Sequence, residues 1–362
     1  MNKIAHKKIA IIGIVGLPAN YGGFETLVNY LTLEKSQAFD ITVYCQKTPK
    51  TNRLAEFNGS QLTYLPFKAN GAESIVYDIV SIAISWFKYD TLLILGSPGC
   101  IILPLLKLFK NTSTIVNFGG LEWERDKWGK GARWFLRFSE KMAINHATKI
   151  VADNQHFCNY IKSEYNKESN LIEYGGDHSS RIAIDVALIK KYPFLKLEYD
   201  VSVSRAQIDN NLHLLLEAYS KTPERNLVLV SNYNNFEYGR DLKKKYSSFS
   251  NLFLQDAVYD LKELDAIRSN AKLYIHSHTF CGTAPSLVEA MNLGLPIIAF
   301  DVPTNHFTTE NKALYFTDAN DLTAIIKNLS IAMETSLGIE MKEISDRRYT
   351  WQQIANKYSA LF

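Results

Sequence analysis

Short apolar runs bounded by turn residues alternate with segments whose apolar residues recur at helical spacing, and this alternation passes through the chain twice. In the first half, 8–13, 40–45, 61–66, 92–95, 114–117, 148–152 and 171–174 read as strands. Between them, 73–88, 154–165 and the stretch carrying Leu27, Val28 and Leu31 read as helices. After a charged and aromatic break at 175–197 the pattern restarts, with strands at 199–204, 227–231, 252–254, 272–277, 296–300 and 313–316. Helices are expected there at 210–220, 261–268, 285–293 and 318–330, and a last one at 351–361. Strands that are apolar on both faces and separated by helices require a parallel sheet covered on both sides. Two such series predict an α/β chain of two Rossmann-like doubly wound domains facing across a cleft. The expected division is 1–176 together with the closing helix in 350–362, and 177–349.

The 362 residues suit two domains of ordinary size, each with its own core. With 46% hydrophobic and 21% charged residues, the chain is neither a disordered polymer nor a membrane bundle. Its most apolar stretch, 91–106, is too short to span a bilayer and is split by Gly96, Ser97, Pro98 and Gly99. A net charge of +3 gives no reason to expect nucleic acid. Cys45, Cys100, Cys158 and Cys281 are scattered, form no CxxC pair and follow no signal peptide. Reduced thiols in the cytoplasm are therefore expected, not disulfides or a zinc site. No internal repeat or low-complexity tract is present.

Ligands of parallel sheets bind where loops leave the carboxyl ends of strands, so the chemistry of those loops matters most. In KLYIHSHTFCGTAPSLVEAMNLGLPIIAF (272–300), a strand runs into a glycine-containing polar loop and Pro285 opens a helix where proline is best tolerated. A helix start there offers N–H groups to phosphate; Thr283 and Ser286 add hydroxyls, and Glu289, one turn in, adds a carboxylate suited to a sugar hydroxyl. GIVGLPANYGGFETLVNYL (13–31) sets Gly22 and Gly23 before a helix start, where backbone can approach an anion closely. It has neither the GxGxxG nor the GK[ST] spacing. FGGLEWERDKW (118–128) brings Glu122 to a strand end. SRAQIDNNLHLLLEAY (204–219) offers Arg205 for bidentate contact with phosphate, with Asn210 and Asn211 as uncharged donors. Each stretch also fits a plainer reading: an ordinary α/β connection, a flexible turn, a solvated glutamate, a surface arginine beside a capping asparagine.

From Arg125 to Lys149 the cations Arg125, Lys127, Lys130, Arg133, Arg137, Lys141 and Lys149 face only Asp126 and Glu140, with Trp128, Trp134, Phe135 and Phe138 among them. A helix of this kind can lie on an anionic membrane surface, or be solvated with its aromatics in the core.

Together these stretches resemble the family-4 glycosyltransferases, and within them the bacterial rhamnosyltransferases of polysaccharide assembly. Gly16, Pro18, Tyr21, Gly22, Gly23, Phe24, Glu25 and Thr26 match that branch's G-x-P-x-x-Y-G-G-F-E-T run. Gly120, Leu121, Glu122, Trp123, Arg125, Lys127 and Trp128 match D-G-L-E-W-x-R-x-K-W, with Gly119 in place of the aspartate. His278, Gly282, Thr283, Pro285, Ser286 and Glu289 match the donor signature. The family's first glutamate falls on Cys281 and its phosphate lysine on Asn210 or Asn211, departures that the branch shares.

The resemblance covers nearly the whole chain and implies the two-Rossmann GT-B arrangement. It implies a nucleotide-sugar donor held by Arg205, Asn210, Asn211, His278, Gly282, Thr283 and Ser286. Glu289 would take the ribose, Tyr259 the base, and Gly22 and Gly23 would complete the donor site. Tyr21, Phe24 and Glu25 fall on the acceptor side, and Glu122 becomes the favoured catalytic carboxylate because position 119 is glycine. The activity implied is retaining transfer of a deoxyhexose, L-rhamnose from dTDP-L-rhamnose, to a lipid-linked oligosaccharide at the cytoplasmic membrane face. No carboxylate pair has the spacing of an ordinary double displacement, so stabilisation of the leaving diphosphate by Arg205 is the expected catalytic contribution. No D-x-D triplet occurs, in keeping with a site that uses arginine and helix dipole and needs no metal or other cofactor. Cys281 and Gly119 leave two alternatives: a nucleotide-sugar epimerase on the same fold, or a non-catalytic sugar-nucleotide-binding subunit.

Overall fold

A computed structural model of the chain describes all residues except 1–5, 20, 21, 36, 37, 72, 126 and 127. It divides into two compact units, Met1–Glu173 with Trp351–Phe362, and Tyr174–Thr350. The first contains β1 (Lys7–Ile12), α1 (Gly23–Leu33), β2 (Phe39–Cys45), β3 (Glu56–Phe57), β4 (Ser60–Tyr64), α2 (Glu73–Ser85) and β5 (Thr91–Leu95). It continues with α3 (Leu103–Lys107), β6 (Ser113–Asn117), α4 (Lys130–His146), β7 (Lys149–Ala152), α5 (Gln155–Tyr165) and β8 (Asn170–Leu171). The described strands form one sheet in the order β3-β4-β2-β1-β5-β6-β7-β8, parallel except for the β3–β4 hairpin. Asn58 and Gly59 both take positive φ in that hairpin, the backbone a two-residue turn demands. Every residue of β5 (TLLIL) is buried, as a strand covered on both faces must be. The apolar stretch at 91–106 thus resolves into this strand, a 3-10 turn at Pro98–Ile102 and α3. Among the described residues, no helix is long and apolar enough to cross a membrane.

The second unit contains α6 (Val186–Lys191), β9 (Asp200–Val203), α7 (Leu212–Ser220), β10 (Leu227–Ser231), α8 (Glu237–Tyr246), β11 (Leu252–Asp256) and α9 (Leu261–Ser269). Then come β12 (Tyr274–His276), α10 (Pro285–Asn292), β13 (Ile297–Phe300), α11 (Pro303–Thr308), β14 (Leu314–Phe316), α12 (Ala319–Asn328) and α13 (Ile331–Arg348). Its sheet is parallel throughout, ordered β11-β10-β9-β12-β13-β14. The last helix, α14 (Trp351–Leu361), belongs to the first unit. There Trp351 stacks on Tyr30 at 4.6 Å, and Asn117 Nδ2 donates to Tyr358 Oη at 2.7 Å.

The structure corrects three expectations. The strand expected at 171–174 ends at Leu171, after which the buried Glu173 leaves the sheet to pair with Lys357 at 2.8 Å. The break at 175–197 is no bare connection: it carries α6 and a 3-10 turn whose Phe194 and Leu195 are buried. Helices α8, α11 and α13 were not legible. In α8 (EYGRDLKKKY) only Gly239, Leu242 and Tyr246 are buried, and α13 buries Gly338, Met341, Ile344 and Ser345 across 18 residues, too sparse an apolar stripe to register.

Candidate functional site

In each sheet the strand order reverses once, between β9 and β12 in the second unit and between β1 and β5 in the first. A doubly wound sheet opens its crevice at that point, at the carboxyl ends of the strands. The second unit's two loops there, 204–211 and 277–284, carry most of the candidate donor residues, and hydrogen bonds knit them together. Thr279 N–H donates to the Asp209 carbonyl at 3.0 Å and Ser277 Oγ to the Asn210 carbonyl at 2.5 Å. Asn211 Nδ2 donates to the Ser277 carbonyl at 3.1 Å and to Thr279 Oγ1 at 2.7 Å. Ser204 Oγ is hydrogen-bonded to His278 Nε2 at 2.8 Å. Asn210 Nδ2 donates to the Arg205 carbonyl at 2.9 Å. The asparagine amides, expected to donate to phosphate, therefore brace the loops. Chain crossing a sheet mouth leaves carbonyls needing donors, and a short amide side chain supplies them.

Arg205 has its carbonyl fixed by Asn210 and by the Gln207 N–H at 2.8 Å, while its side chain is exposed. A pinned backbone thus carries an exposed arginine at the end of β9. Across from it, α10 starts at Pro285 with Ala284 as N-cap and no side-chain cap bond. Gly282 and Thr283 are buried and Ser286 is half-buried in that turn. Beneath lies His276, fully buried, its imidazole pushed well below the ordinary histidine value first by burial and then by His278, whose ring centroid is 4.3 Å away. Neither ring nitrogen of His276 has a hydrogen-bond partner.

Glu289 does not stand alone one turn into α10. Its Oε2 pairs with Arg268 Nη1 from α9, and its Oε1 lies 3.0 Å from His178 Nε2. Arg268, 1% exposed, also reaches Asp265 Oδ1 at 2.5 Å, and Asp265 Oδ2 accepts from the Ser180 N–H at 3.0 Å. Burial alone would raise the Glu289 carboxyl; Arg268 and His178 outweigh it and hold the group well below the usual carboxylate range. Facing an ionised acceptor, His178 Nε2 carries the proton. Reasoning from sequence missed Arg268 and His178. An arginine in an otherwise buried helix turn (DAIRS) was the available signal for the first, and His178 carried none. Tyr259 is 77% exposed on the β11–α9 loop, beside the helix cap Asp260.

In the first unit the mouth is built from backbone. Gly13 takes φ +102°, and a Cβ there would lie 2.2 Å from the Leu95 carbonyl oxygen, so β1 and β5 close up only around glycine. Glu25 is buried and its Oε1 accepts the Val15 N–H at 2.9 Å, tying the loop down. Gly22 caps α1, its carbonyl accepting both the N–H and the Oγ1 of Thr26 at 3.1 Å, and Gly23 is the first helical residue. Tyr21 lies outside the described residues. Phe24 packs at the Gly119 turn: with φ +69°, a Cβ on Gly119 would sit 3.0 Å from the Phe24 ring. Glu122 is half exposed, its Oε1 accepting from Trp128 Nε1 at 3.1 Å and its Oε2 pairing with Arg125 Nε at 3.2 Å. The adjoining Trp123 is anchored from below, donating to the buried Glu140 at 2.8 Å; Tyr160 and Tyr165 donate to the same carboxylate at 2.7 Å. Among the described residues no group of His, Cys, Asp and Glu side chains is arranged to hold a metal ion.

Comparison with known proteins agrees with this architecture. Residues 189–349 match the sequence model of the glycosyl transferases group 1 family, and 6–177 match that of a domain of unknown function, DUF1972. Sucrose-phosphate synthase from Thermosynechococcus elongatus superposes with a TM-score of 0.82 at 17% identity, covering 98% of each chain. HepE from Anabaena, solved with UDP-glucose, gives 0.76 at 14% identity over 98% of this chain and 100% of its own. The fold these structures define is the two-domain arrangement of GT-B glycosyltransferases. The glycosyl transferases group 1 match falls on the second unit. The GtfA subunit of a UDP-N-acetylglucosamine–peptide N-acetylglucosaminyltransferase from Streptococcus parasanguinis is 26% identical over 147 residues, 39% of this chain. The match spans only 29% of that relative's length.

Proposed function

We propose that the chain is a retaining glycosyltransferase that moves L-rhamnose from dTDP-L-rhamnose to a lipid-linked oligosaccharide in the assembly of a surface polysaccharide. The observation that carries this reading is the second unit's mouth. An exposed arginine at the end of β9 stands opposite a helix start whose N-cap makes no side-chain cap bond. That pairing suits a diphosphate whose charge grows as the glycosidic bond breaks. Arg205 and the first turn of α10, with Thr283 and Ser286, take the pyrophosphate. Asn210, Asn211 and His278 hold the loops in place, Gly282 lets the backbone approach, and Glu289 meets the ribose with the lone pairs that Arg268 and His178 leave. Tyr259 covers the base. No metal takes part, and the reaction proceeds unchanged in a chelator.

The first unit serves the acceptor through Tyr21 and, in the first turn of α1, Phe24 and Glu25, with Glu122, oriented by Trp128 and Arg125, as the catalytic carboxylate. The acceptor's lipid keeps the enzyme at the inner face of the plasma membrane, where α4 contacts anionic headgroups. A nucleotide sugar as donor class is supported by the UDP-glucose in HepE and by the donor named for the GtfA relative; the choice of dTDP and rhamnose rests on the motif resemblance.

Incubation with labelled dTDP-L-rhamnose and UDP-glucose, with and without lipid-linked acceptor, tests the reading. Transfer from dTDP-L-rhamnose with retained anomeric configuration is expected. Acceptor-free conversion would make the protein an epimerase, binding without turnover a non-catalytic subunit, and transfer from UDP-glucose alone would replace the donor.

A further inference from the structure

Three helices of the first unit cover one core together and share an unusual outer side. Tyr77 and Ile82 of α2, Leu103 and Leu106 of α3 and Ala143 of α4 belong to a single buried cluster. Helices packed this way normally turn polar residues to water. These instead expose Phe87 just past α2, Leu105, Leu108 and Phe109 on and after α3, and Trp134 and Phe138 on α4. Leu108 and Phe109 are 80% and 70% exposed and adjacent in sequence, a projecting apolar corner. Trp134 and Phe138, both exposed, stack on each other with their planes 6° apart.

The exposed charges on and just past these helices are mostly positive. Lys88, Lys110, Arg137 and Lys141 are exposed beside the apolar groups. The acids within the helices, Asp78 and Glu140, turn inward and are buried; among the described residues, Glu73 at the start of α2 and Asp90 past its end are exposed acids there. Apolar groups flanked by cations suit a surface that offers hydrocarbon and phosphate together. A second copy of the chain does not fit, because a twofold contact would set cations against cations.

We propose that this three-helix flank docks on an anionic bilayer, with Leu108 and Phe109 inserted below the headgroups and Lys110, Arg137 and Lys141 on the phosphates. The proposal rests on the membrane reading of α4 given above and extends it to α2 and α3, making the α3 corner the principal anchor.

Sedimentation with vesicles of phosphatidylcholine, with and without phosphatidylglycerol, tests it. The parent is expected to bind the anionic vesicles, and less so as salt rises. Leu108→Ser with Phe109→Ser should lower partitioning about tenfold or more, the scale of losing buried apolar side chains. Arg137→Gln with Lys141→Gln should lower it by about fivefold for each charge and remove most of the salt dependence. Circular dichroism and nucleotide-sugar binding should be unchanged in both variants. If only the α4 variant loses binding, the α3 anchor is wrong while the reading of α4 stands. If the parent fails to sediment with anionic vesicles, both fall. Equal binding to neutral vesicles, or a dimer that the Leu108→Ser, Phe109→Ser variant dissolves, would also overturn the proposal.

Discussion

At the mouth of the second sheet, polar side chains hold one another: Asn211 grips Ser277 and Thr279, Ser204 grips His278, and Glu289 is clasped by Arg268 and His178. At the mouth of the first sheet, the corresponding turns are backbone and glycine, with Gly13 and Gly119 at positive φ and Glu122 half exposed between Trp128 and Arg125. The two units share a single reversal of strand order but not a way of fixing their loops. The second sets its groups before any ligand enters, which suits charge stabilisation that cannot wait for reorganisation. The first leaves room for backbone to approach a ligand and commits few side chains, which suits a bulkier and more varied partner.

The comparison breaks first at Arg268. Arg268→Met leaves Asp265 and Glu289 buried without their cation, and a loss of about 3–5 kcal/mol in urea unfolding is expected. A loss under about 1 kcal/mol would mean that the cluster does not fix the second mouth. Next in size is Arg205→Ala, expected to cut turnover by about 10²–10³-fold with unfolding unchanged, because Arg205 is exposed and its fixed carbonyl is backbone. Arg205→Lys keeps the charge but loses the fork and should also be impaired. A few-fold effect from the alanine variant would move the leaving-group charge elsewhere.

The acid limb of stability sharpens the contrast. The Glu289 carboxyl is depressed from its ordinary 4.5, so the unfolded chain binds this proton at higher pH than the folded one. Its contribution is complete above about pH 4.5 and is lost as pH falls toward the folded value near 2. The expected slope is about 1.4 kcal/mol per pH unit across that window, and Glu289→Gln should flatten it. An unchanged acid limb would show that the carboxyl is not held ionised. The smallest effect is expected in the first unit. Gly119→Asp restores the aspartate of the resembling branch, but at φ +69° and against the Phe24 ring it should cost about 1–2 kcal/mol and leave turnover no higher. Faster transfer by that variant would return the acid or base role to position 119.

Much of the fold was legible because its signals are local. A buried parallel strand must be apolar along its whole length, and Leu92–Leu95 and Leu227–Ser231 read that way at once. Pro285 and Gly294 marked the ends of α10 through the backbone they prefer, proline at the first helical position and glycine at φ +68° just past the last turn. The loops at both reversals of strand order stood out for the same reason, since turns and helix starts are written in adjacent residues. Polar helices escaped, α13 above all, because its packing against α10 leaves only a thin apolar trace.

What the sequence determined by itself is therefore the two αβ series, the loops that must lie at the strand ends, and the residue types those loops present. Only the tertiary structure decided what each side chain touches. Glu289 meets an arginine 21 positions and a histidine 111 positions away. Asn211 turns its amide to a loop 66 positions on, and Trp134 and Phe138 face water when helical spacing allowed either side. Periodicity follows from the geometry of one element, whereas a hydrogen-bond partner is set by which strands the sheet makes neighbours. That choice is made by the burial of both faces together, and no single stretch of chain contains it.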